Sequence, residues 1–315
     1  MSPSPVEEQV APTKIPILPG KDAAAAGNPA AAASTTASAK PWLKSSGFLD
    51  KFEYFEVTPV IGREYSNVDI VEWLQAPNSD ELIKELAVTI SERGVVFFRG
   101  QNNLTADLQK QLLTRLGQLS GRPKTSSLHI HPILNNERDN YRVSDPEIST
   151  IDSELDKKIY KSNEFIPKKQ KAGAWHSDIA FEPVPADYSS LRLEKLPKTG
   201  GDTLWASGYE IYDRISPPYQ KFLESLTATF EQPIFISAAA KGGFKLYDKE
   251  RGNPANTGED LTAVHPVVRT NPVTGWKSVY PIGGHVGHIN GVTELESKAL
   301  LEWFERLIVD NHDLQ

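Results

Sequence analysis

Residues 172–183 read AGAWHSDIAFEP, which places His176 and Asp178 two positions apart among apolar and aromatic neighbours. On an extended segment, residues i and i+2 point to the same side, so an imidazole and a carboxylate at this spacing converge on one point. Two histidines and one carboxylate on an octahedral ion are the arrangement typical of non-haem Fe(II) oxygenases. A His-x-Asp triplet also arises by chance, with the aspartate in a turn, so the pair indicates a metal site without establishing one.

The residues around the pair help to decide between a metal site and a chance occurrence of the triplet. Trp175 and Phe181 have the bulk expected of a water-poor pocket. Lys168, Lys169 and Lys171 form a basic run that is either a solvated charge cluster or a feature that steers an anion. The sequence has no cysteine, so any metal must bind nitrogen and oxygen ligands, which favours Fe(II) or Mn(II) over a structural zinc.

Composition narrows the class of protein. The chain has 315 residues, 39% of them hydrophobic and 24% charged, which is ordinary for a globular protein. Its net charge of -7, from 41 acidic and 34 basic residues, argues against nucleic acid as a partner, because binding a phosphate backbone needs a concentrated positive face. No apolar run reaches the roughly 18 residues of a membrane span, and no signal peptide is recognisable. We therefore expect a cytoplasmic protein with no membrane partner.

The chain divides into two parts of different composition. Residues 1–46 are rich in Ala, Ser and Pro and predict a disordered tail, while residues 47–315 predict one folded domain. The domain opens with a strand and turn in FEYFEVTPVIGREYS. A helix follows with Ser79 as its N-cap and Gly94 as its end, and then a buried strand over residues 95–98. Thr105 caps a second helix that closes at Gly121.

The second half carries further strand and helix signals. Strands are predicted in SSLRLEKL (residues 189–196) and TLWAS (203–207), and a hairpin in AVHPVVRTNPVTGWKSVYPI (263–282), whereas residues 135–171 indicate a surface segment. Ser216 opens a helix that we expect to bury Tyr219, Phe222, Leu223 and Leu226, and Thr293 with Glu296 predicts a capping box. Mainly β structure with flanking helices (α+β) favours a sandwich or barrel over an alternating parallel sheet.

Five blocks, in this order, carry a resemblance to a known family: GVVFFRGQ, LHIHP, WHSDIAFEPVPA, LEKLPKTGGDTLWASG and HPVVRTNPVTG. From about residue 55 onward the chain resembles the taurine dioxygenase family of Fe(II)- and 2-oxoglutarate-dependent oxygenases. The resemblance implies a double-stranded β-helix, or jelly roll. It implies His176 and Asp178 as iron ligands, Thr203 as a contact of the cosubstrate 2-oxoglutarate, and His131 as a contact of the substrate's anionic head.

The family pattern also continues past the helix that precedes Gln315, with further strands, a second metal histidine and an arginine for 2-oxoglutarate. We therefore expect the jelly roll and the site to be incomplete at the C-terminus, and this chain to be inactive. His265, His285, His288 and His312 lack the motif context of an iron ligand. His285 or His288 could line the substrate pocket, and His129 is expected to be structural.

The resemblance implies hydroxylation of a small anionic organic substrate by O2 with 2-oxoglutarate. The leading expectation is a taurine-like sulfonate that releases sulfite. Ala172 and Leu134 replace pocket residues expected for taurine, so an aryloxyacetate or another small carboxylate is the alternative. A non-catalytic isoform is a further alternative, and a homo-oligomer is compatible with the sequence.

Overall fold

The computed structural model describes residues 41–134, 145–152 and 175–314. The folded unit begins at Trp42. The backbone N–H of Leu43 donates to Val273, and Ser45 and Ser46 both donate to the carboxylate of Glu85. The predicted boundary at residue 46 therefore lies inside the folded unit. The predicted tail up to residue 40, and most of the predicted surface segment 135–171, lie outside the described residues.

The first sheet lies at the start of the folded unit. Strands β1 (Tyr54–Glu56) and β2 (Arg63–Tyr65) pair antiparallel, and β2 pairs parallel with β3 (Val96–Phe98). The predicted strand and turn and the predicted strand near residues 95–98 are thus confirmed. The strand β3 is only partly buried, because its sheet has three short strands with helices packed beside it.

Three helices accompany this sheet: α1 (Ile70–Gln75), α2 (Ser79–Arg93) and α3 (Ala106–Ser120). Gly94 and Gly121 end α2 and α3, and Thr105 caps α3 through its side chain, as predicted. The predicted N-cap of α2 is wrong by one residue, because Asn78 takes that position. The Ser79 hydroxyl instead donates to the carbonyl of Leu74.

The hydrophobic core of this half is aromatic and aliphatic. Tyr65, Trp73 and Phe98 pack ring against ring, with centroids 5.5–5.8 Å apart, and the helices close over them. Further buried members are Leu49, Val68, Ile70, Leu74, Leu82, Ile83, Leu86, Ala87, Leu104, Leu112 and Leu116.

The second sheet has β4 (Thr227–Glu231) at its centre, paired antiparallel with β5 (Thr262–Pro266) on one side and β8 (Val286–Asn290) on the other. Strands β6 (Val268–Thr270) and β7 (Lys277–Val279) form the predicted hairpin. His265 of β5 contacts the carbonyl oxygens of Ala180 and Glu182, and Gly283, which precedes β8, bridges to His176.

Four helices flank these strands: α4 (Gly208–Asp213), α5 (Pro217–Leu223), α6 (Pro233–Gly242) and α7 (Glu294–Val309), followed by a 3-10 turn at His312–Leu314. Ser216 is the N-cap of α5, and Thr293 with Glu296 forms the predicted capping box of α7.

The predicted burial of helix α5 is only half right. Leu223 and Leu226 are buried in the core, whereas Tyr219 and Phe222 are 53% and 42% exposed. Tyr219 packs its ring against Trp303 at the surface, with centroids 5.6 Å apart. A helix of seven residues has only two turns, and it buries one narrow apolar face against the core.

The strands predicted at SSLRLEKL and TLWAS are not formed in the described structure. Leu191, Leu193, Leu196 and Leu204 are each at least 50% exposed. An alternating pattern becomes a strand only where another strand supplies the backbone hydrogen bonds, and residues 189–206 have no such neighbour in the described part of the chain. The sheets and flanking helices otherwise agree with the predicted α+β class. Among the described residues, no helix has the length and apolar character needed to cross a bilayer.

Candidate active site

His176 and Asp178 face each other. The distance between His176 Nε2 and Asp178 Oδ1 is 3.3 Å, so the two side chains converge as their spacing predicts. The side chains are 46% and 67% exposed. The expected water-poor pocket is therefore not formed by the described residues, since the bulk of Phe181 is turned into the core rather than over the pair.

Gly283 fixes the backbone that carries His176. His176 forms an isolated antiparallel bridge with Gly283, whose φ is +75°. A Cβ atom at position 283 would lie 1.5 Å from the carbonyl oxygen of Trp175, which no side chain tolerates. The two backbones can approach this closely only because residue 283 is glycine.

A strained turn follows Asp178. Ile179 has a φ of +47°, the left-handed region that a β-branched residue rarely adopts. The turn is closed by a hydrogen bond of 2.9 Å from the backbone N–H of Glu182 to the carbonyl of Ile179. Such strain persists only where surrounding contacts hold it, and it is common at functional sites.

Charges near the pair suit metal binding. The hydrogen bond from His176 lowers the pKa of Asp178, so its carboxyl group is ionised at neutral pH. The ring of His285 lies edge-to-face against His176, with centroids 5.1 Å apart. Burial and then the charge of His176 lower the pKa of His285 to about 4. An ionised carboxylate is the protonation state that binds metals, and Asp178 is in that state.

His176 and Asp178 offer one nitrogen and one oxygen donor, which fit two positions on Fe(II). All seven histidines of the sequence lie among the described residues. In the described ranges, no group of three His, Asp or Glu side chains is arranged to hold a metal ion. Of the expected site, the described structure thus brings together two ligands.

His131 is held in one tautomer. Its Nδ1 accepts hydrogen bonds from the backbone N–H groups of Ile133 (3.0 Å) and Leu134 (2.9 Å), so its proton is on Nε2. Burial, and then the charge of His129, lower the pKa of His131 to about 3. The charges of Asp178 and His285 are close enough to influence the same pKa. His131 therefore lies near the pair as a neutral donor.

Thr203 is exposed in the segment 189–206, and no hydrogen bond or ring contact joins it to His176, Asp178 or His131. Its predicted role toward 2-oxoglutarate stays a prediction.

One neighbour of the site carried no signal in the sequence. The side-chain amide of Gln232 lies 2.8 Å from Nδ1 of His285, at the start of helix α6. Gln232 is distant from every recognised motif along the chain, so only the pairing of β4 with β8 reveals the contact. His285 itself was expected at most to line the substrate pocket, and its ring position beside His176 fits that role.

Comparison with known proteins gives consistent matches. The family "Taurine catabolism dioxygenase TauD, TfdA family" matches residues 53–315. The chain is 48% identical to "Alpha-ketoglutarate-dependent dioxygenase btcD" of Neocamarosporium betae over 89% of this chain and 83% of that protein. It is 30% identical to "Alpha-ketoglutarate-dependent sulfonate dioxygenase" of Saccharomyces cerevisiae over 82% of this chain and 56% of that protein.

The chain also resembles a solved structure, the crystal structure of a taurine dioxygenase from Burkholderia xenovorans. The two align over 83% of this chain and 74% of the other, with a TM-score of 0.54 and 21% sequence identity. At this identity the likeness shows a shared fold. It supports the double-stranded β-helix expected from the sequence.

Proposed function

The chain belongs to the taurine catabolism dioxygenase TauD, TfdA family, and from this membership and the site we propose that it hydroxylates a small organic anion, in the first place a sulfonate with release of sulfite. The chain is an α-ketoglutarate-dependent dioxygenase by family, with Fe(II) as metal and 2-oxoglutarate as cosubstrate. When bound, Fe(II) would supply the redox chemistry that couples O2 and 2-oxoglutarate to substrate oxidation.

The observation that carries the proposal is the convergence of His176 Nε2 and Asp178 Oδ1 at 3.3 Å. These two atoms would hold the iron, which has further positions for 2-oxoglutarate and O2 when it is bound. Gly283 holds the backbone of His176, and the turn at Ile179 directs Asp178. By family resemblance, Thr203 would bind 2-oxoglutarate.

His131 is suited to orienting an anionic substrate. Its Nε2–H can donate to an oxygen of a sulfonate or carboxylate, and it does so as a neutral group because its pKa is lowered to about 3. A neutral donor contributes a directed hydrogen bond without an ion pair. The ring of His285, beside His176, would form another wall of the substrate pocket.

A second substrate class has an observation in its favour. Leu134, which stands where taurine enzymes carry an aromatic residue, is buried in a cluster with Ile133, Phe181 and Phe235. It therefore offers no polar or aromatic contact to a sulfonate. An aryloxyacetate or another small carboxylate is the second candidate, since the His131 donor fits either anion. The 48% identical relative carries no substrate in its name, whereas the sulfonate dioxygenase of yeast is more distant.

Anaerobic titration with Fe(II) and 2-oxoglutarate tests the metal site. We expect the full chain to develop the weak visible charge-transfer band of the bound pair, and His176→Ala and Asp178→Ala to lose it. His312→Ala replaces an exposed histidine of the C-terminal 3-10 turn and should keep the band. A colourless wild-type chain would contradict iron and cosubstrate binding and favour the non-catalytic isoform.

Product analysis separates the two substrate classes. Sulfite formed from a panel of sulfonates supports the leading proposal. Succinate formed only with aryloxyacetates or other carboxylates supports the second.

A further inference from the structure

A buried ion pair begins four residues after Asp178, at Glu182. The side chains of Glu182 and Arg251 are each 1% exposed. Arg251 donates from Nε to Glu182 Oε1 over 2.5 Å and from its Nη2 to Oε2 over 2.9 Å. Its remaining nitrogen, Nη1, donates to the carbonyls of Tyr247 and Gly258. A buried charge pair is tolerated only when its hydrogen bonds are satisfied in this way, and breaking one partner leaves the other charge uncompensated.

The same carboxylate contacts a third side chain. His129 Nε2 lies 3.0 Å from Glu182 Oε1. Glu182 follows Asp178 by four residues, and His129 precedes His131 by two. One carboxylate therefore joins the segment that carries the metal ligands to the segment that carries the proposed substrate contact.

Backbone contacts tie Arg251 to the segment of His129 and His131. The N–H of Ser127 donates to the carbonyl of Gly252 (2.7 Å), and the N–H of Tyr247 donates to the carbonyl of Pro132 (3.0 Å). A Cβ at Gly252 would lie 2.7 Å from the carbonyl oxygen of Leu128, so the two backbones are in direct contact. The guanidinium is thus fixed relative to both ends of residues 127–132.

On the other side, the strained turn after Asp178 is anchored at the same place. His265 Nε2 lies 3.0 Å from the carbonyl oxygens of both Ala180 and Glu182. Together with the ion pair, this contact holds the turn in which Ile179 has a positive φ. A turn under backbone strain relaxes when its anchors are removed.

We infer that Glu182, Arg251 and His129 form a positioning cluster that sets the separation of Asp178 from His131, and through it the placement of the substrate relative to the metal. The inference rests on the proposed roles of Asp178 and His131. None of the three residues of the positioning cluster need touch the substrate or the metal. They act through the backbone segments that they join.

The test compares Glu182→Gln with Glu85→Gln in the full chain. Glu85 is a matched control because its carboxylate is also buried and hydrogen-bonded, to Ser45, Ser46 and Gly47, but in helix α2 away from the site. Three quantities are measured: the unfolding temperature, the dissociation constant of Mn(II) added alone, and the rate at which diethyl pyrocarbonate modifies His131, followed by mass spectrometry.

We expect both substitutions to lower the unfolding temperature. Of these two, only Glu182→Gln should weaken Mn(II) binding, by about tenfold as for other groups that orient metal ligands, and change the rate at which diethyl pyrocarbonate modifies His131. His129→Gln should change the modification rate of His131 and leave Mn(II) binding unchanged. Equal effects of Glu182→Gln and Glu85→Gln on Mn(II) binding and on His131 would overturn the inference, since the ion pair would then contribute to stability alone.

Two further results keep the test decisive. If Glu182→Gln does not fold, Arg251→Lys replaces it, because lysine keeps the charge and loses the two-pronged contact. If the wild-type chain binds no Mn(II), the proposed metal site fails, while the reactivity of His131 in the variants still decides whether the positioning cluster fixes that segment.

Discussion

Gly283 lies where a side chain would overlap the backbone of the metal-ligand segment. Gly283→Ala adds a Cβ 1.5 Å from the carbonyl oxygen of Trp175, at a φ of +75°. We expect a loss of about 3 kcal/mol or more in the free energy of unfolding, since both the overlap and the backbone strain must be relieved. Urea unfolding measures it.

Gly200→Ala is the matched control for Gly283→Ala. Gly200 also has a φ of +75°, but no atom lies within 4 Å of a Cβ built there. Its substitution should cost only about 1 kcal/mol, the strain of the left-handed conformation. Equal losses for the two variants would show that the contact with Trp175 is unimportant.

His131 gives the stability of the fold a pH dependence. Its pKa is lowered from 6.5 to about 3 in the folded chain, mainly by burial. Between these values the unfolded chain binds a proton that the folded chain does not, so the free energy of unfolding falls as the pH falls below 6.5. Urea unfolding at pH 7.5 and 4.5 should show a larger loss for the wild type than for His131→Gln.

The contribution of His131 can be isolated with a second histidine variant. His312→Gln, at an exposed position, should retain the pH dependence of the wild type. If His131→Gln loses as much stability on acidification as the wild type, His131 is not buried in its neutral form.

At the scale of elements, hydrogen bonds from capping side chains determine where helices begin. The hydroxyl of Thr293 accepts from the N–H of Glu296, and the carboxylate of Glu296 accepts from the N–H of Thr293. Thr293→Ala should lower the free energy of unfolding by about 1 kcal/mol, measured by urea unfolding. Ser216→Ala is the control, because Ser216 caps α5 without a side-chain hydrogen bond and should cost clearly less. A reversed order would contradict the role of the capping box.

At the scale of the whole molecule, the described residues bury three separate hydrophobic clusters, and the segment 189–205 joins none of them. Residues 191–200 are all exposed. Within the described part of the chain, we therefore expect brief trypsin treatment to cut first after Lys195 or Lys198, because this backbone has no sheet to hold it. Peptide mapping identifies the site. First cleavage after Lys84, in helix α2, would contradict the exposure of this segment.

The sequence alone determined the family, the α+β class, the caps at Thr105 and Thr293, and the pairing of His176 with Asp178. These depend on contacts between residues that are close along the chain, such as a hydroxyl three residues from an N–H or two side chains at i and i+2. Features of this kind can therefore be predicted from a short stretch of sequence.

Only the tertiary structure decided which alternating segments become strands and which distant groups meet. Strand-like patterns at residues 189–196 and 203–207 remained unpaired, and Gly283, His285 and Arg251 reached the site from far along the chain. The physical reason is that a strand, a buried ion pair and a close backbone contact each need a partner whose position is set by the packing of the whole chain, which no local pattern specifies.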